Sequence, residues 1–286
     1  MAQDVETAVV PSGEVAGPRP AGLLLRVLPT AMYAGRARML VERSLLVNRR
    51  AWLSIVSGFF EPLFYLVAMG VGFAGLTGAM TGPSGEPISY VAFVAPALLA
   101  ASAMNGAVYD ATFNLFFKLK YNRTYDAVLA TPLGPIDIAV GEISWALLRG
   151  GLYALGFFTV MLGMGLVTSA WALLIVPAAL IMAFGFAAVG MACTTYMRSW
   201  QDFDLVQLAL MPMFLFSTTF FPLSVYPAAI QFLVRCFPLY HGIEIMRALS
   251  SGYVDLSVLG HLAYFAVMAA VGLVVAARRV GRLLLR

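Results

Sequence analysis

The sequence predicts an all-α integral membrane protein. It has six transmembrane helices, an N-terminal interfacial amphipathic helix, and re-entrant helices before the last span. Three observations carry that reading. The composition is 61% hydrophobic and only 11% charged, against about 25% charged residues in soluble domains. Six apolar stretches, at about 52–76, 88–110, 142–167, 171–195, 204–223 and 257–277, meet the roughly 20 residues that a bilayer-crossing helix needs. Lys and Arg concentrate on alternate connections between them. The alternating ten-residue strands of an outer-membrane barrel are not seen.

Residues 1–28 have neither helical periodicity nor the charged-then-apolar pattern of a signal peptide, and are expected to form a disordered cytoplasmic tail. Residues 29–286 form the expected transmembrane domain. From about Thr30 to Arg50, Met32, Met39, Leu40, Leu45, Leu46 and Val47 share the chain with Arg36, Arg38, Glu42 and Arg43. That is a basic amphipathic helix, and Arg49, Arg50 and Trp52 make a boundary anchor at the inner membrane surface. The alternative is a cytosolic helix packed on another protein.

The connection after the second stretch is the most informative segment. Arg123 to Ala130 has good helix formers in an amphipathic order, and Pro132, Gly134 and Pro135 then stop it. A bare connector needs only a few residues. A loop with its own helix, with Lys118, Lys120 and Arg123 beside it and a rigid turn behind it, is built to be gripped by another protein. Later, between Phe221 and Ser257, two helical stretches of about ten residues each are expected, broken at Pro238 and Gly242. They are too short to span and are expected to be re-entrant or interfacial on the outer side.

Orientation follows from the cations. Arg36 to Arg50 precede the first span, Lys118, Lys120 and Arg123 follow the second, Arg198 follows the fourth, and Arg278, Arg279, Arg282 and Arg286 follow the sixth. The loop from Thr77 to Pro87 has no basic residue, and only Arg235 and Arg247 fall on the opposite side. Both termini are therefore expected in the cytoplasm, in the inner cell membrane. The net charge of +4 is a topology signal. No basic stripe interleaved with exposed aromatics marks a nucleic-acid partner. Cys193 and Cys236 fall toward opposite faces and are expected to be packing residues.

Few residues carry chemistry. Glu61, next to Pro62, lies inside the first span, where an acid is costly and belongs either to a helix–helix contact or to a translocation path. Asn105 and Asp110 lie near the inner end of the second span and Arg149 near the inner end of the third, and Asp110 and Arg149 are expected to pair there because buried charges need partners. Thr218 and Thr219 sit in a Met- and Phe-rich stretch, Met211 to Pro222, suited either to an amphiphile or to plain packing. Pro238, Tyr240, His241 and Glu244 mark the re-entrant exit region. His241 with Glu244 offers two ligands alone, too few for a metal. No phosphate-cradling Gly-x-x-x-x-Gly-Lys-Ser/Thr loop is present, so this chain binds no nucleotide in the usual way, and no catalytic constellation marks an enzyme.

Tyr125-Asp126-Ala-Val-Leu-Ala-Thr131-Pro132-Leu-Gly-Pro-Ile-Asp137-Ile, followed by Gly141-Glu142-Ile-Ser-Trp145-Ala, resembles the loop after the second span in permeases of the NodJ-like lipooligosaccharide exporter family. That family belongs to the ABC transporter permeases that export drugs, lipids and polysaccharides. Asn48-Arg-Arg-Ala-Trp52, Glu61-Pro62-Leu-Phe-Tyr65, Phe93-Val-Ala-Pro96 and Phe237-Pro238-Leu-Tyr240-His241 extend the resemblance over roughly residues 35 to 280. Ala97 stands where that pattern has a glycine. The resemblance implies an ATP-driven exporter in which two permeases, identical or related, pair with two separate ATPase subunits that use ATP and Mg. Arg123, Thr124, Tyr125, Asp126, Leu129 and Pro132 would form the coupling helix, seated in the ATPase. The substrate implied is amphiphilic: a lipooligosaccharide, a lipid or a hydrophobic drug. The alternative is a secondary transporter driven by an ion gradient, which needs intramembrane acids in series and usually an internal repeat. Neither is visible here.

Overall fold

The computed structural model describes residues 37–48, 52–73, 78, 80–82, 85–122, 124–131 and 133–284, with 37–38, 48, 52–59, 126, 129, 135–136 and 284 described by backbone alone. The expected tail, Arg49, Arg50, Arg123 and Pro132 lie outside the described residues. Almost everything described is helical. α1 (Ala37–Asn48) and α2 (Trp52–Phe73) are followed by a two-stranded antiparallel ribbon, β1 (Met80–Thr81) and β2 (Pro87–Ile88), in register Met80↔Ile88. α3 (Tyr90–Tyr109) runs through a wide π-helical turn at Asp110–Asn114 into α4 (Leu115–Lys120). The short α5 (Thr124–Leu129) leads to α6 (Pro135–Gly163), and a 3₁₀ turn at Ala170–Leu174 opens α7 (Ile175–Thr194). α8 (Asp202–Phe216), α9 (Ala228–Cys236), α10 (Pro238–Ser251) and α11 (Ser257–Leu284) complete the chain.

Among the described residues, Tyr90–Lys120, Asp137–Gly163, Ala170–Thr194 and Ser257–Leu283 are long and apolar enough to cross a bilayer. This is an all-α membrane protein. α2 has 22 residues, the length of a span. α8 has 15 and stops at Phe216, short of the expected 204–223. Pro212 inside it removes a backbone donor, Ser217 leaves helical geometry, and Thr218 takes a φ of 61°.

α3 is apolar all round and buried almost all round, from Phe93 to Met104, because α2, α6, α7 and α10 pack against it. Lipid tails are as apolar as Leu, so these helices cannot be held together by the hydrophobic effect and rely on close approach. A Cβ on Gly150 of α6 would lie 3.0 Å from the Ala103 carbonyl of α3, and one on Gly272 of α11 would lie 2.7 Å from the backbone of Ala188 in α7. At Gly272 a side chain has no room against the backbone, and at Gly150 one would press on its neighbours.

The two ends of the bundle are distinct. At the N-terminal end of α3, the Arg247 Nε of α10 donates to the Phe93 carbonyl at 3.3 Å. α5 follows the other end, 31 residues along, or about 45 Å at 1.5 Å per residue. The short helices before the last span are α9 and α10. Pro238 breaks them, at the first turn of α10, where its missing N–H costs nothing. Gly242 does not break them. It is buried within α10, where its lack of a side chain makes room for the Met182 sulfur of α7.

Candidate functional site

A cavity of about 570 Å³ opens between α2, α3, α6 and α8. It gathers three of the residues that the sequence offers as candidates for a translocation path or a helix–helix contact: Glu61, Asn105 and Arg149. Asp110 lies just behind its wall, nearly fully buried, and accepts from Arg149 Nη1 at 2.9 Å. Asn114 Nδ2 donates to the same carboxylate oxygen. The wide turn at Asp110–Asn114 supports this arrangement. Thr112 Oγ1 donates to the Val108 carbonyl at 2.7 Å, and Thr194 Oγ1 of α7 reaches the Ala111 carbonyl at 2.9 Å. Such π turns within α-helices are frequent at functional sites. The guanidinium of Arg149 also lies 5.2 Å from the Tyr109 ring centroid and 5.9 Å from that of Tyr153, distances at which the ring faces attract a cation.

Sequence reasoning missed the aromatic share of this lining. Tyr65, Tyr109, Tyr153, Phe113 and Phe214 all face the cavity, as do Asp204 and Gln207 of α8. The available signal was the recurrence of Tyr and Phe beside the intramembrane acids.

Thr218 and Thr219 are elsewhere. Both are buried in the bend after α8, where Thr219 Oγ1 donates to the Phe214 carbonyl at 2.6 Å. Thr218 is held by Arg247, whose Nη1 donates to its hydroxyl at 3.1 Å and whose Nη2 donates to its carbonyl at 2.5 Å. The same guanidinium stacks 3.8 Å over the Phe93 ring and reaches Glu244 at 3.3 Å. A single buried arginine thus ties α10, the start of α3 and the bend after α8 together. From sequence it counted only as a stray outer-side cation.

In the exit region Tyr240, His241 and Glu244 ride on α10 behind Pro238. Glu244 turns to Arg247, while His241 Nδ1 sits 2.7 Å from His261 Nδ1 of α11 and stacks on the Tyr264 ring at 4.0 Å. No group of three metal-ligating side chains is present among the described residues. Cys193 and Cys236 are both exposed, not packed inside the bundle.

At the other end, α5 is held firmly to its own chain. Tyr125 is buried as part of the same core that holds Leu40 of α1, Leu115, Ile138 and Ala139. Burial, and then the facing Glu142 carboxylate, push its phenol well above the ordinary value. Glu142 also receives Lys118 Nζ at 2.6 Å. Gly134 N donates to Asp137 Oδ2 at 2.9 Å, capping the start of α6. Thr124 is partly buried, and Asp126 and Leu129 lie in α5. Ala127 in the helix, and Tyr121, Asn122, Ala130 and Thr131 flanking it, are exposed. α1 packs on α6, with Leu40, Val41 and Ser44 buried and Met39, Leu46 and Val47 left as an exposed apolar edge.

Residues 36–250 match the model of the family described as ABC-2 type transporter. The chain is 30% identical over 240 residues to Nodulation protein J of Rhizobium leguminosarum bv. viciae, covering 84% of this chain and 91% of that protein. It is 30% identical over 216 residues to the protein of the same name from Rhizobium leguminosarum bv. trifolii, covering 75% and 80%. With that of Rhizobium meliloti (strain 1021) it shares 29% identity over 211 residues, covering 72% and 79%.

Proposed function

The chain belongs to the ABC-2 type transporter family, and from that premise we propose that it is the permease subunit of an ATP-driven exporter of an amphiphilic substrate. It crosses the cytoplasmic membrane six times with both termini inside, α2 and α8 supplying the two spans beyond the four long ones. It binds no nucleotide. A separate ABC ATPase uses ATP and Mg, and a second permease, identical or related, completes the path. The resemblance to lipooligosaccharide exporters makes a lipid-linked saccharide the leading substrate, ahead of other lipids and hydrophobic drugs.

The observation that carries this reading is the way α5 is mounted. A six-residue helix alone in water would not persist. Here Tyr125 sinks into the base of the bundle and Lys118–Glu142 clamps the flanking chain, while the opposite side is left open. That is how a part is built to receive force from outside and pass it to α3 and α6. When the ATPase pair closes on nucleotide, α5 moves as one body with the helices that line the cavity. The rival reading, an ion-gradient-driven transporter, needs a relay of titrating acids. Asp110 is instead committed to Arg149 and Asn114.

The test is assembly. Tagged chain expressed with a candidate ABC ATPase should co-purify with it, and the complex should hydrolyse ATP while the isolated chain does not. Hydrolysis by the contaminant-free chain alone would sink the proposal.

A further inference from the structure

Among the described residues, Thr218 is the only one other than glycine with a positive φ, at 61°. A β-branched residue is an outlier there, because its Cβ crowds the following carbonyl. Such a conformation persists only where its surroundings over-determine it. Here one side chain does so. Arg247 donates from Nη1 to the Thr218 hydroxyl and from Nη2 to the Thr218 carbonyl, so both prongs of the guanidinium grip the same residue. The fork is fixed in turn by the Phe93 carbonyl, the Phe93 ring and Glu244. Beside it the Ser217 hydroxyl is buried without a partner, a second unfavourable feature of the same bend.

The bend reaches the cavity between α2, α3, α6 and α8. Thr219 Oγ1 donates to the Phe214 carbonyl, and the Phe220 ring meets the Phe214 ring edge-on at 5.3 Å. Phe214 also packs against Tyr65 of α2, with ring centroids 5.7 Å apart. Phe214 is the last residue of α8 to line the cavity, Tyr65 the last of α2, and Leu98 the first of α3. Leu98 lies only about 7 Å along α3 from Phe93, so the two rings bridge α2 and α8 at the cavity end remote from α5. Little else holds α8, since Met213 is its only buried residue. The bend therefore sets where Phe214 stands, and Arg247 sets the bend.

Resting on the export reading above, we propose that Arg247 is the positioning residue of an exit gate. While it grips Thr218, Phe214 meets Tyr65 and the cavity is shut at the end away from α5. When the fork leaves Thr218, that residue relaxes to an ordinary backbone conformation, the bend swings, and Phe214 parts from Tyr65. Backbone strain is released in that step, so it favours opening against the hydrogen bonds that favour closure. Glu244, whose side chain keeps 35% of its exposure, holds the guanidinium once the bonds to Thr218 are broken.

A thiol in the cavity reads the gate. With Cys193→Ser and Cys236→Ser, Asn105→Cys places the only thiol of the full chain on the lining. Sealed membrane vesicles receive an impermeant maleimide on the face from which Ser251→Cys reacts in a parallel preparation, so the result does not depend on orientation. Labelling should be slow with Arg247 in place. Arg247→Met should speed it by at least about fivefold, the factor in an opening equilibrium that strain of this kind represents. Thr218→Gly alone should label slowly, because glycine adopts a φ of 61° without strain and keeps the carbonyl that Arg247 grips. In Arg247→Met combined with Thr218→Gly the bend no longer needs holding, and labelling should return to within about twofold of the parent. An arginine that only supports the fold would not be rescued by removing one of its hydrogen-bond partners. Arg247→Lys keeps a charge for Glu244 and replaces the fork by one ammonium; it carries the same comparison if Arg247→Met does not insert. Parent-rate labelling in the Arg247 variant, or fast labelling that Thr218→Gly leaves unchanged, would overturn the proposal. No ATPase takes part, so a failed gate leaves ATP-driven export standing, and failed export leaves the gate standing.

Discussion

Replacing Arg149 by Met removes one half of an ion pair that is almost wholly out of water. The Asp110 side chain keeps 1% of its exposure and that of Arg149 keeps 6%, with the charged atoms 2.9 Å apart. Breaking a buried pair costs about 3–5 kcal/mol, because the remaining charge is left uncompensated. Asn114 still donates to Asp110 in the variant, so the expected loss lies at the low end, about 3 kcal/mol. The rings of Tyr109 and Tyr153 add at most about 1 kcal/mol at their distances. Asp110→Leu combined with Arg149→Met removes both charges and should return to within about 1 kcal/mol of the parent. The assay is reversible unfolding of the purified chain in mixed micelles, run as a double-mutant cycle. If Arg149→Met alone lies within about 0.5 kcal/mol of the parent, or the double variant is no better than the single one, the pair does not hold α3 to α6.

Tyr125→Ala should insert and fold yet release α5 from the bundle, lowering ATPase co-purification or uncoupling hydrolysis from substrate; full coupling in this variant would show that the ring is not the anchor. Asp126→Lys, in the same helix, should weaken the ATPase complex through the interface itself, read by the same co-purification, and unchanged binding would remove Asp126 from the contact. In intact cells, a cysteine placed at Ser251 should react with a membrane-impermeant reagent and one at Thr124 should not; labelling at Thr124 would reverse the orientation. Gly242→Leu places a branched side chain where Met182 packs, so α10 should lose its seat and the variant should be cleaved by external protease near Ser251 while the parent resists.

Helix content, the apolar spans and the short helix ahead of Pro132 were legible because each depends on local rules: apolar length, proline and glycine punctuation, and amphipathic order. The Asp110–Arg149 pair was legible for a different reason, since two buried opposite charges at the same depth have few other solutions. What the sequence hid is tertiary. Arg247 looked like an outer-side cation, and nothing local links it to Phe93 or Thr218, 154 and 29 residues away. Tyr125 looked like an anchor for a partner, yet it is buried in its own chain, with Glu142 of α6 and Arg43 of α1 near its hydroxyl. Gly242 looked like a helix breaker for the same reason: its close neighbour, Met182, is 60 residues distant. The end of α8 at Phe216 depends on a backbone turn at Ser217 and Thr218 that apolar composition cannot signal.

The central claim is that this chain moves an amphiphile with energy supplied by another subunit's ATP hydrolysis. The direct measurement is transport of a fluorescent glycolipid in sealed vesicles holding this chain and its ATPase, with the ion gradients collapsed by ionophores. The account predicts transport that requires ATP and Mg, persists without ion gradients, and vanishes when the ATPase is omitted. Transport that stops with the ionophores and proceeds without ATP would contradict it.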